Sequence, residues 1–215
     1  MSEITLHPSV RSAMISDSLD LLGIRTNVMI PEIRPLDRSM KIMGYAATIE
    51  FEPSSDFDPH DPYAPAIGFL DSLQTGEVAI VATGQSQLSA FWGELFSTAA
   101  KLRGATGVVS DGPLRDVNEI HQVGFNAFGV GSLPYDYKGR MKVSRVRSNV
   151  ICGGVSVAPG DFVIADIDGV VVVPHFAISE VFAAANARAQ GENHVLSDLK
   201  SGSTVREAWD KHHLL

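Results

Sequence analysis

The sequence predicts one α/β domain with a largely β centre flanked by helices, and three observations lead there. Short, largely apolar runs (Val78–Ala82, Thr106–Ser110, Phe125–Val130) alternate with segments of helical period. From Val143 onward several short strands are joined by turn chemistry. At 215 residues the chain is long enough for one well-packed core and rather short for two, so a single domain over 1–215 is expected.

Taken in order, Ser12–Leu22 reads as a helix, because Ile15, Leu19 and Leu22 recur at spacings of three and four and Gly23 can close it. Residues 28–40, punctuated by Pro31 and Pro35, read as irregular or as an edge segment. Ile42–Phe51 is strand-like. Pro53–Pro65 is a loop, since four prolines forbid regular structure. Its Asp56, Asp58, His60 and Asp61 read as a solvated loop or an active-site lid before a cation cage. A short helix over Ala66–Leu73 and a turn at Gly76 precede the strand Val78–Ala82. Trp92–Arg103 reads as a helix with Leu95, Ala99 and Leu102 on its packed face and Gly104 as its stop. Asp111-Gly112 begins a turn that presents Arg115 and Asp116, and Val117–Val123 is a further short helix. Val155–Ala158, Phe162–Ala165 and Val170–Val173 are strands whose connecting acids, Asp161, Asp166 and Asp168, read as turn residues. Ile178–Gln190 is an Ala-rich amphipathic helix opening a C-terminal tail (about 176–215), with a polar end in which His212–His213 reads as mobile.

Composition excludes several classes. A net charge of −8 argues against nucleic acid or an anionic membrane as the main partner, and an anionic substrate then needs a local cation. The single cysteine, Cys152, rules out an internal disulfide and a cysteine-built zinc site, and its small neighbours suggest a buried residue rather than a nucleophile. The N-terminus has neither the basic nor the apolar region of a signal peptide, and no apolar run approaches a membrane span, so a cytoplasmic setting is expected. The seven histidines form no H-E-x-x-H pattern, and Gly129-Val130-Gly131 is too short to hold a dinucleotide or a methyl-donor cofactor.

Chemistry concentrates in two places. Gly93-Glu94-Leu95-Phe96 opens a helix, where unpaired N–H groups and the positive dipole end can hold a carboxylate or enolate oxygen, and Gly93 permits close approach. Alternatively, Glu94 only complements the dipole. Twenty-one residues on, Arg115 offers a planar fork for a carboxylate and Asp116 a hard oxygen for Mg²⁺ or Mn²⁺. A surface loop pair, with Asp116 capping the following helix, would give the same pattern.

The segment Trp92–Asp116, WGELFSTAAKLRGATGVVSDGPLRD, resembles the RraA-like family, which holds metal-dependent 4-hydroxy-4-methyl-2-oxoglutarate and 4-carboxy-4-hydroxy-2-oxoadipate aldolases and the regulators of ribonuclease E activity. The likeness extends over nearly the whole chain, through Ser16–Asp20 before Gly23 and the later Pro159-Gly160-Asp161 and Asp168-Gly169-Val170; the acid-x20-Arg-Asp spacing is its specific part. The resemblance implies a swivelling β/β/α domain assembled as a homotrimer or homohexamer. It implies that Gly93, Glu94, Leu95, Phe96 and Arg115 bind a 2-oxo acid, and that Arg115, Asp116 and Glu94 serve catalysis. Asp116 would be the direct ligand of a divalent cation and Glu94 would act through a water on it. Catalytic members carry an acid where Glu94 stands, whereas the regulators tend to lack it. The family also draws a carboxylate from a neighbouring subunit, for which Glu192 is the nearest match. The implied reaction is retro-aldol cleavage of 4-hydroxy-4-methyl-2-oxoglutarate or a similar acid to pyruvate, with oxaloacetate decarboxylation as a companion; the rival is a non-catalytic protein-binding regulator. No lysine lies in the motif, which disfavours a Schiff-base aldolase.

Overall fold

The computed structural model describes residues 5–214. Ten strands run in chain order: β1 (Arg34–Pro35), β2 (Ile42–Pro53), β3 (Glu77–Ala82), β4 (Gly107–Ser110), β5 (Asn126–Gly129), β6 (Met141–Val146), β7 (Val150–Cys152), β8 (Val155–Val157), β9 (Phe162–Asp166) and β10 (Gly169–Val173). Helices are α1 (Ser12–Leu21), α2 (Ala64–Ser72), α3 (Glu94–Leu102), α4 (Val117–Val123), α5 (Ile178–Lys200) and α6 (Val205–His212). Eight strands form one sheet in the order β1-β5-β4-β3-β2-β9-β10, with β6 paired to β2, and β7 and β8 form a separate hairpin.

Strand β2 organises this sheet. One of its edges pairs in parallel with β3 over Tyr45–Glu50; the other is shared between β9 (Ile42–Tyr45) and β6 (Ile49–Pro53), both antiparallel. Strands β2, β3, β4 and β5 are parallel, and α3 and α4 make the β3–β4 and β4–β5 crossovers.

The period of two in these strands decides the layers. Val78, Ile80 and Ala82 point into one core with Ala46, Val109 and Phe128, and that core is closed by the β7–β8 hairpin through Val150, Cys152, Val155 and Val157. The alternate residues Ala79, Val81, Ala47, Val108 and Ala127 enter a second core under α2, α3 and α4, with Phe69, Trp92 and Ile120. A hairpin, a sheet and a helical layer are therefore stacked, the β/β/α arrangement the resemblance implied. A third core joins α1 and α5 to β9 and β10 through Ile15, Leu19, Phe162, Val181 and Phe182. Asp166 locks α1 to this end: its carboxylate accepts the backbone N–H and the hydroxyl of Ser12, at 2.9 and 2.6 Å, and the N–H of Asp168 at 3.0 Å. The turn reading of Asp166 holds, with a helix-capping duty added.

The structure corrects several expectations. The segment before Val155, read as turning to β from Val143 onward but without strand bounds, holds two strands, β6 and β7, and the first starts at Met141. Helix α3 begins at Glu94, and its packed face is Ser97 and Ala100, with Phe96 half-buried; Leu95 and Leu102 are 78% and 84% exposed. Small residues let α3 sit close to the sheet, so the larger leucines fall outside. The C-terminal end is helical to His212: α5 runs on to Lys200, and α6 starts at a capping box in which Thr204 and Glu207 satisfy each other's backbone N–H. His212 is not a mobile end; its Nε2 lies 2.7 Å from Asp198 Oδ2 and its side chain is largely covered. Cys152 is buried as expected, and burial pushes its thiol well up, so it is inert. Among the described residues no helix is long and apolar enough to cross a membrane.

Candidate functional site

In parallel sheets, binding clefts form outside the carboxyl ends of the strands. Here the connections leaving β3 (residues 83–93) and β4 (residues 111–116) lie side by side, because Val81 and Ser110 are register partners. Asp111 fastens them. It is 1% exposed, and its carboxylate accepts Thr83 N–H and Oγ1–H at 2.7 and 2.9 Å and Gly153 N–H at 3.1 Å. Further on, Phe91 N–H donates to Pro113 O and Arg115 N–H to Trp92 O, at 3.1 and 2.9 Å. A third segment, residues 130–137, is tied to both: Leu114 N–H donates to Gly131 O, and Ala90 N–H to Tyr135 O. This backbone lattice, together with the Asp111 carboxylate, fixes where Arg115, Asp116 and Asp136 emerge.

Asp116 has a left-handed backbone (φ 56°), a conformation costing about 1 kcal/mol that aspartate tolerates better than most residues. Its side chain does not cap α4. It turns the other way, and Oδ2 accepts the Glu94 N–H at 3.1 Å. Gly93 makes this possible: a Cβ there would meet Asp116 Oδ2 at 2.4 Å and Arg115 Cγ at 3.0 Å. Its φ of −149° is open to any residue, so space alone demands glycine. Arg115 lies between two carboxylates, with Nε 3.8 Å from Asp116 Oδ2 and a terminal nitrogen 3.8 Å from Asp136 Oδ1. Its side chain remains 37% exposed, so the fork is available to a ligand.

These groups face a cleft of about 370 Å³ at the N-terminal end of α3. Gly93, Leu95, Phe96, Arg115 and Asp116 line it; Glu94, also singled out from the sequence, is not among the lining residues. Glu94 stands in the first turn of α3, half-buried, with its N–H committed to Asp116; the first-turn N–H groups of Leu95 and Phe96 are the ones left for a ligand. Glu192 lies elsewhere, held by Arg11 and Arg188 of its own chain at 2.7 and 3.0 Å.

Sequence reasoning missed the opposite wall. Tyr63, Ile67, Asp136 and Tyr137 line the same cleft. Tyr63, the last residue before α2, donates its hydroxyl to Asp136 Oδ2, and that bond pushes its own ionisation up. Tyr137 is buried, and its hydroxyl has no hydrogen-bond partner among the described residues; burial keeps it a neutral phenol. A signal existed: Asp136 is an acid between two tyrosines directly after Leu133-Pro134, and Tyr63 closes the proline-rich loop read as a lid. The loop's acids do not line the cleft, and Asp58 is turned inward on His60 N–H at 2.8 Å.

The donors at Asp116 suit a hard cation. Among the described residues no three His, Cys, Asp or Glu side chains are grouped to hold a metal. A cation here would take Asp116 from this chain and complete its shell with water and substrate oxygens, which is the habit of Mg²⁺. The residues present fit such an ion.

Comparison with known proteins agrees with this architecture. A sequence model of the RraA-like family, described as Aldolase/RraA, matches residues 12–172. The chain belongs to the RraA-like family. It is 29% identical over 197 residues to protein DlpA of Legionella pneumophila, covering 92% of this chain but 31% of DlpA, so it spans about a third of that relative's length. It is 26% identical over 171 residues to a Halalkalibacterium halodurans protein named "Putative 4-hydroxy-4-methyl-2-oxoglutarate aldolase", covering 80% of this chain and 76% of the other. Among solved structures, Streptomyces coelicolor RraAS2, titled an unusual member of the RNase ES inhibitor RraA protein family, superposes with a TM-score of 0.76 at 31% identity, covering 86% of this chain and 90% of RraAS2.

Proposed function

We propose that the protein is a lyase that cleaves a 4-hydroxy-2-oxo acid to pyruvate with a divalent cation, Mg²⁺ or Mn²⁺, on Asp116, the reference compound being 4-hydroxy-4-methyl-2-oxoglutarate. The observation that carries this reading is the juxtaposition of the Arg115 fork, the Asp116 carboxylate and the first turn of α3 in one cleft. When bound, the cation supplies Lewis-acid polarisation of the 2-oxo group, worth several kcal/mol. Arg115 binds the C1 carboxylate through paired N–H donors. The N–H groups of Leu95 and Phe96 hold the negative charge that develops on oxygen as the C3–C4 bond breaks. Glu94 orients the water that takes the proton from the 4-hydroxyl, C4 becomes a carbonyl, and the electron pair passes to C3, which is then protonated to give pyruvate. No lysine is among the lining residues, in keeping with a mechanism without a Schiff base. The same enolate forms when oxaloacetate loses CO₂, so decarboxylation is an expected companion activity. Assembly as a homotrimer or homohexamer belongs to the same reading.

Purified protein with Mg²⁺ or Mn²⁺ is expected to release pyruvate from the reference compound, EDTA to stop it, and Asp116→Ala to lower kcat by at least about 1,000-fold. Undiminished turnover in Asp116→Ala would refute the assignment. The RNase ES inhibitor family of RraAS2 supports a second reading, a non-catalytic regulator of ribonuclease E type. Retention of a purified ribonuclease E with no metal-dependent pyruvate release would favour it.

A further inference from the structure

Arg115 keeps its place in the cleft by a balance of charge. Its side chain makes no hydrogen bond to a described residue, and its guanidinium stands 3.8 Å from Asp116 on one side and 3.8 Å from Asp136 on the other. The two carboxylates are not equivalent. In the lyase reading the charge of Asp116 is taken up by the cation, and the neighbouring guanidinium, a like charge, is pushed away from it. Among the described residues lining the cleft, Asp136 is then the one anion left to match Arg115. Asp136 is built to stay where it is. Its Oδ2 accepts the Tyr63 hydroxyl, and its Oδ1 is the oxygen nearest Arg115. A neutral partner holds the carboxylate without cancelling its charge. Its backbone is bridged to Ala90, and its carbonyl accepts a terminal N–H of Arg140 at 3.1 Å. Tyr63 is fixed in turn: its ring meets Tyr137 edge-on with centroids 5.6 Å apart, and Tyr137 meets Phe51 in the same manner at 5.0 Å. The anchor of Asp136 thus reaches into the core beneath the helices.

We propose that Asp136, anchored by Tyr63, is a positioning residue: it is the counter-charge that holds the Arg115 guanidinium in the cleft and off the Asp116 carboxylate, so that the fork stays open for the substrate's C1 carboxylate. The inference rests on the lyase reading and adds two residues to it, neither of which touches the reacting atoms. An arginine freed from Asp136 has Asp116 as its remaining neighbour of opposite charge, and a guanidinium drawn there competes for the carboxylate the cation needs. The sign of the effect separates positioning from simple charge. Removing a carboxylate beside an anion site should by itself tighten anion binding, whereas loss of a positioning group weakens it.

The test reads turnover and binding separately. With Mg²⁺ and the reference compound, Asp136→Asn should raise KM about tenfold while kcat stays within about threefold, because the C1 carboxylate is held alike in ground and transition states. The same variant should weaken the binding of pyruvate, titrated at equilibrium in Mg²⁺, by about tenfold. Asparagine keeps an acceptor for Tyr63, so the fold is retained. Tyr63→Phe frees the carboxylate without removing it and should shift both constants the same way, by about threefold. In an Arg115→Ala protein, adding Asp136→Asn should leave pyruvate binding within about twofold, since no guanidinium remains to be held. A tenfold loss in that background would mean that Asp136 acts without Arg115, which overturns the proposal. An unchanged or lower KM in Asp136→Asn overturns it as well, because relief of a like charge would then be the whole effect. Either result leaves the lyase reading standing so long as the unaltered protein releases pyruvate; release of none removes both.

Discussion

Two aspartates five residues apart in the β4–α4 connection use the same functional group in opposite ways. Asp111 is buried, and three donors from two other segments fill its acceptor positions. Asp116 has a side chain 43% exposed, a left-handed backbone and a backbone donor from α3. The difference teaches how a short loop holds a reactive group in place. One end is fastened to the sheet by hydrogen bonds that tolerate no change, so the other end can project a carboxylate beside a guanidinium. The comparison can be broken by melting the two variants. Asp111→Ala orphans the N–H groups of Thr83 and Gly153 at about 1–3 kcal/mol each. The expected loss is about 3 kcal/mol, or roughly 10 °C in Tm for a chain of this length. Asp116→Asn keeps an acceptor and a residue suited to positive φ, so its Tm should stay within about 2 °C of the parent. An Asp111→Ala protein that melts with the parent would erase the distinction.

A smaller effect sharpens the same contrast with two glycines. A methyl group at Gly93 meets the Asp116 carboxylate, whereas one at Gly112 meets the Phe91 ring at 2.7 Å and Thr83 Oγ1 at 2.8 Å. The first obstacle is a half-exposed side chain that can swing away; the second is core. If the proposed reaction holds, Gly93→Ala should therefore reduce pyruvate release by about 10–100-fold with little change in Tm, since it displaces the carboxylate proposed to hold the cation. Gly112→Ala should instead cost about 1–3 kcal/mol of stability through overpacking. Calorimetry and turnover measured on both proteins separate the outcomes, and matching profiles would count against the division.

How much of this was legible in the sequence follows from the range of the interactions involved. The parallel strands β3, β4 and β5 were readable because each is a short run buried on both faces. The positions of Glu94, Arg115 and Asp116 at a helix start and a turn were readable because such residues signal locally, whereas their roles came from the family resemblance. The bounds of β6 and β7 were less readable, beyond a turn to β from Val143 onward: β6 is half-solvated and interrupted by Lys142, Ser144 and Arg145, and its partner β2 lies about 90 residues away. The packed face of α3 was misread because the apolar period selects Leu95 and Leu102, whereas the sheet accepts Ser97 and Ala100. Small residues at a close contact carry no hydrophobic signal. The pairing of Asp136 with Tyr63 was not legible for a related reason, although each residue stood out by type. Their meeting depends on the 130–137 segment being pulled against β4 by backbone bonds, and no residue type announces those bonds.

A further fastening lies near the C-terminus, where a carboxylate again does the holding but is about a quarter exposed. Asp198 Oδ2, near the end of α5, receives Lys211 Nζ and His212 Nε2 of α6, both at 2.7 Å, and the Lys211 bond followed by the His212 bond lowers its ionisation below the usual carboxylate range. A group with a depressed folded pKa contributes stability that is present above its unfolded pKa, near 4, and is lost as pH falls through the lower folded value. The α5–α6 clip should therefore open only under acid conditions, below about pH 4, while the Asp111-fastened loops keep their structure. Hydrogen exchange read over residues 205–212 checks this. Protection there should disappear on acidification before that of β3 and β4, and Asp198→Asn should reproduce the loss at neutral pH. Unchanged protection in Asp198→Asn would mean that the Thr204–Glu207 capping box and the burial of Ala208 hold α6 by themselves.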